Sequence, residues 1–71
     1  MDLATVRDAL GLSQAELERR SGVPRGTVQE LESGKNQNPS VKVAGAIVDA
    51  LRRAGAKGVD IESLFVEAKA S

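Results

Sequence analysis

The chain contains no histidine and no cysteine. That removes imidazole acid–base chemistry, thiol nucleophiles, disulfides and the zinc sites those ligands build. A cysteine-free chain fits a reducing compartment, and the cytoplasm is the expected location. Aromatic residues are reduced to Phe65 alone, so a core must be assembled from Ala, Val, Leu and Ile. No run of about 18 apolar residues occurs, so no membrane span is expected. The opening MDLATVRDAL is acidic and periodic, without the basic-then-apolar order of a signal peptide. Strand signals are also missing: the β-branched residues recur at spacings of three and four, not in alternation.

What is present bounds the answer further. Seventy-one residues, 41% of them hydrophobic and 28% charged, describe one small globular domain and not a disordered chain. At this size roughly 60% of the unfolded surface can be buried. Little room is left for an enclosed active site, and no nucleophile–base pair or metal-ligand cluster stands out. No enzyme, metal or cofactor is expected. Lys+Arg and Asp+Glu balance at ten each. Taken alone, that balance is unlike a nucleic-acid-binding domain. The distribution is uneven, however: residues 1–18 carry net −3, residues 19–57 net +5 and residues 58–71 net −2.

Punctuation and periodicity divide the chain into five helical segments. The first covers about residues 2–10, with Leu3, Val6, Arg7 and Leu10 at helical spacing, and Gly11 ends it. The second starts at Ser13, an N-cap in a capping box with Glu16 reaching back, and stops at Gly22. The third starts at Pro24, whose missing N–H is harmless in a first helical turn, and ends at Gly34. Val28 and Leu31 are its apolar contacts. A polar loop follows. The fourth starts at Ser40, puts Val41, Ala44, Ile47, Val48 and Leu51 on one face, and ends in Arg52-Arg53. The fifth starts at Asp60, with a stripe of Ile61, Leu64, Phe65 and Ala68. Segments two and three are joined by only Gly22-Val23-Pro24. A turn so short, with a glycine in it, marks a helix-turn-helix. The expected fold is all-α: a compact single domain over residues 1–71, with the helix-turn-helix at about 13–33 and the last helix at about 60–68.

The run LSQAELERRSGVPRGTVQELESGK, Leu12 to Lys35, resembles the helix-turn-helix of the Cro and phage-repressor-like (XRE-type) family. The matching positions are Ser13-Gln14, Leu17, Gly22-Val23, Thr27-Val28, Leu31-Glu32 and Gly34. Pro39-Ser40 and the stripe after it resemble that family's fourth helix, and GVDIESLF its fifth. The likeness covers roughly residues 5–67. It implies a five-helix lambda-repressor-like domain that binds double-stranded DNA with helix three in the major groove. Arg7 and Glu32 match a family pair that ties helix one to helix three, and both read as structural. Two departures stand out. Glu18 occupies a position usually held by a small residue, where a carboxylate needs solvent or a base such as Arg25 or Arg7. The loop from Gly34 to Pro39 is one residue longer than is common.

On that placement, Arg25, Gly26, Gln29 and Glu30 face outward from helix three as base-reading candidates. Arg pairs bidentately with guanine and Gln with adenine, Glu accepts from cytosine N4, and Gly26 permits close backbone approach. Phosphate candidates are Gln14, Thr27, Lys35, Asn36, Asn38, Ser40 and Lys42. Gln14 can alternatively brace a helix-three side chain. Turn chemistry alone also accounts for the loop residues. Arg52 and Arg53 read as charges on a helix C-terminus. Regulators of this type act as dimers on two half-sites about 34–36 Å apart. Helix five is the expected contact, with Phe65 and Val66 as candidates, and Val43 on helix four as a weaker hint. The expected function is a sequence-specific transcriptional regulator, a repressor acting as a homodimer. The alternative is a protein-binding module of the same fold, such as an antitoxin or anti-regulator, which the zero net charge and Glu30 favour slightly.

Overall fold

A computed structural model describes residues 2–35 and 39–70, with the last five as backbone only. Five helices follow in order: α1 (Leu3–Ala9), α2 (Gln14–Ser21), α3 (Thr27–Ser33), α4 (Val41–Arg53) and α5 (Ile61–Ala70). The described residues contain no strand.

Four helix starts are fixed by a side-chain oxygen that accepts an otherwise unpaired amide. Asp2 accepts from the Thr5 N–H at 2.7 Å, Ser13 from Glu16 at 3.0 Å, Ser40 from Val43 at 3.1 Å, and Asp60 from Ser63 at 2.7 Å. At α5 the cap is reciprocal, because the Asp60 N–H donates to the Ser63 hydroxyl. At α2 it is not. The Glu16 carboxylate, expected to reach back, is held by Arg19 and Arg20 one turn ahead.

The core is a single aliphatic cluster. Leu17, Val28, Ile47 and Leu51 are fully buried at its centre, and Leu3, Val6, Leu12, Val48, Ala50 and Val59 complete it. α2 and α4 pack face to face, and α1, α3 and α5 close around them. The phase of α4 differs from the expected one at its start. Val41 is 77% exposed, while Val43, taken from sequence as a self-association hint, packs half-buried on the core. The apolar arc therefore runs through Val43, Ala44, Ile47, Val48, Ala50 and Leu51.

α5 bends at Phe65, whose φ of −126° and ψ of 27° are not helical. Phe65 itself leans on the core. Arg52 holds the approach to α5, its Nε donating to the Val59 carbonyl at 3.0 Å. Arg53 pairs with Asp49 one turn back. The side chains of Val66 and Ala68 lie outside the described residues, as do Asn36 and Asn38.

Candidate nucleic-acid interface

α2 ends at Gly22, whose left-handed φ of 79° turns the chain without the strain a side chain would bring. Five residues, Gly22 to Gly26, then lead to α3, two more than expected. Pro24 does not open the helix. Its carbonyl accepts the Thr27 N–H at 3.1 Å, which closes a turn ahead of the helix. The N-cap of α3 is Gly26, at φ 89°, and it has no side chain to cap with. Arg25 and Gly26 thus sit in the turn that leads into α3 and not on its first helical turn.

Glu18 supplies the missing cap. Its side chain is buried at 8% exposure, and Oε2 accepts the Val28 N–H at 3.0 Å. The expected Arg7 or Arg25 partner is replaced by a backbone amide at a helix N-terminus. There a carboxylate is favoured both as an acceptor and by the helix dipole. The clue in the sequence was a glycine, Gly26, where the N-cap of α3 falls, which left the first amides of the helix in need of an acceptor from elsewhere.

The other end of α3 is held by Glu32. Arg7 Nε donates to Glu32 Oε2 at 2.6 Å and Nη2 to Oε1 at 3.0 Å. Gln14 Nε2 donates to the same Oε1 at 2.9 Å. Arg7 also reaches the Leu12 carbonyl at 2.7 Å and Asp8 at 3.1 Å. This fork ties α1, the start of α2 and the end of α3 together through charge-assisted hydrogen bonds. Burial opposes ionisation of Glu32, but the hydrogen bonds from Arg7 and Gln14 outweigh it and hold the carboxyl below its ordinary range. The Glu32 hydrogen bond in turn raises the Arg7 guanidinium above its usual value.

Val28 and Glu32 share the inner face of α3, four residues apart. The outer face carries Gln29, Glu30 and Ser33, all exposed, and Arg25 is exposed in the turn before it. The side chains of Arg25, Gln29 and Glu30 take no partner among the described residues. Thr27 is half-buried beside them. Lys35 is exposed at the end of α3 and Lys42 at the start of α4, next to the Ser40 cap. Gln14 is half-buried in the Glu32 bracket. No helix among the described residues is long and apolar enough to cross a membrane.

Two helices joined by a glycine turn, the second with an exposed polar row and a pinned inner face, are matched by a known family. Its description is helix-turn-helix, and the match covers residues 3–55. The chain belongs to the helix-turn-helix family. Its type is the XRE-like one of Cro and the phage repressors, and its members are DNA-binding regulatory domains. Comparison with curated proteins and with solved structures gave no match. The matched range holds α1 to α4 and the whole Arg7–Gln14–Glu32 fork, so this helix-turn-helix chain is a DNA-binding regulator with a small all-helical domain.

Proposed function

We propose that the chain is a sequence-specific repressor that reads the major groove of double-stranded DNA with α3. The observation that carries this reading is the exposed set of Arg25, in the turn before α3, and Gln29 and Glu30 on it, without side-chain partners among the described residues, beside an inner face pinned at both ends. Arg25 is matched to guanine, Gln29 to adenine and Glu30 to the amino group of cytosine. Gly26 lets the backbone come close. Gln14, Thr27, Lys35, Ser40 and Lys42 are the proposed phosphate contacts, joined by Asn36 and Asn38 from the sequence reading.

Dimerisation belongs to the same reading. The longest axis of the fold is 30 Å. Half-sites on one face of DNA lie about 34–36 Å apart, so two copies are needed to occupy both. The bent end of α5, at Phe65 and Val66, is the proposed contact. The chain then works in the cytoplasm, with its DNA. Selection from a random duplex pool, followed by affinity across salt, tests all of this. The expected winner is palindromic with half-sites about one turn apart, and its affinity falls steeply with salt. The balanced charge and the exposed Glu30 favour a second reading, an antitoxin-like or anti-regulator module that uses α3 on a protein. No enrichment and a flat, weak binding curve would replace the first reading with the second.

A further inference from the structure

We propose that Glu18 is a positioning residue for DNA reading: by holding the Val28 amide it sets where Gln29 and Glu30 point. The inference rests on α3 being the reading helix. α3 has seven residues, far below the roughly 12–15 at which an isolated helix begins to hold its shape. Its position must come from outside. Glu32 anchors the C-terminal half to Arg7 and Gln14. At the other end Gly26 offers no side chain, Thr27 is tied only into its own turn, and Val28 is held by Glu18 from α2. The anchored amide belongs to the residue just before Gln29. The N-terminal part of a recognition helix is the part that enters the groove. Without Glu18 the helix keeps its far anchor and the buried Val28 side chain but loses the directional bond at its near end, so its reading end shifts against α2.

The test compares wild type, Glu18→Ala and Glu18→Gln at a temperature where circular dichroism shows each folded. Affinity is measured for the best selected duplex, for its single-base-pair variants and for random duplex. Glu18→Ala is expected to cut the ratio of specific to random binding roughly tenfold, about the worth of one well-placed base contact. Random-duplex affinity stays unchanged, because Glu18 touches no phosphate. Glu18→Gln keeps an acceptor oxygen at the same reach and recovers most of the ratio. A lower melting temperature with an unchanged ratio would make Glu18 merely structural and overturn the proposal. If Glu18→Ala does not fold, Glu18→Gln decides alone. A carboxamide is a weaker acceptor than a carboxylate, so the Val28 amide should exchange faster and the ratio should drop in part; no change in either overturns the proposal. A wild-type chain that binds all duplexes alike contradicts α3 as a reader, a failure seen before any Glu18 variant is made.

Discussion

α4 and α3 are held in opposite ways. α4 has thirteen residues, its own Ser40 cap and five buried apolar side chains, Ala44, Ile47, Val48, Ala50 and Leu51. α3 has seven residues, no side-chain cap of its own and one buried residue, Val28. α4 stands on burial. α3 is fixed by polar groups lent by α1 and α2: Arg7, Gln14 and Glu18. On the proposed reading, the difference follows from what each helix presents. A helix that hides an apolar stripe gains stability in proportion to the area removed from water. A helix that keeps most of its surface for another molecule has little area to hide, and directional bonds must locate it instead.

The largest effect is expected at the apolar end, in α4. Leu51→Ala removes a fully buried side chain and should cost about 2–5 kcal/mol, read by urea denaturation. A loss below about 1 kcal/mol, within the range of an ordinary surface change, would mean that α4 is not the scaffold described. Glu32→Ala comes next. It leaves the half-buried Arg7 guanidinium with the Leu12 carbonyl and Asp8 alone and should cost about 2–3 kcal/mol, somewhat less than a fully buried broken pair. A neutral effect would show that α3 is not fixed by the fork.

The same fork gives a pH dependence. The Glu32 carboxyl titrates lower in the folded chain than in the unfolded one. Its contribution is therefore complete above the unfolded value of about 4.3 and is lost as pH falls through the lower folded value. Arg7 stays charged throughout. Wild type should lose stability below about pH 4.3 more steeply than Glu32→Gln; parallel acid profiles would remove Glu32 as the cause. The smallest effect belongs to Val41. Val41→Ala should stay within about 0.5 kcal/mol, because this side chain lies in solvent. A larger loss would move it back onto the apolar face expected from periodicity.

Much of this was legible from sequence because its causes are local. Ser13, Ser40 and Asp60 cap the helices they precede, and Gly34 ends α3 in the left-handed conformation. What escaped was decided by partners distant in the chain. Pro24 has the right shape for a first helical turn, yet its carbonyl closes a turn before the helix and Gly26 takes the N-cap. Glu18 was visible as a carboxylate in a tight place, but its acceptor role depends on the amide of Val28, ten residues on. Glu16 fits a capping box by its spacing, yet its carboxylate is taken by the guanidiniums of Arg19 and Arg20 instead of the cap amide. Val41 and Val43 stand two residues apart, about 200° around the helix, so only one of them can face the core, and packing covers Val43 and leaves Val41 in solvent. At the interface itself, the chemistry of Arg25, Gln29 and Glu30 could be read from the chain. That Arg25 stands in the turn and the other two on the helix could not.

Base reading by α3, as proposed above, is probed most sharply at Gln29. Gln29→Ala should be measured against the selected duplex and every single-base-pair variant of it. Discrimination should collapse by about 1–3 kcal/mol at one or two base pairs per half-site, with the other positions intact. An unchanged profile, or a loss spread evenly over all duplexes, would contradict it.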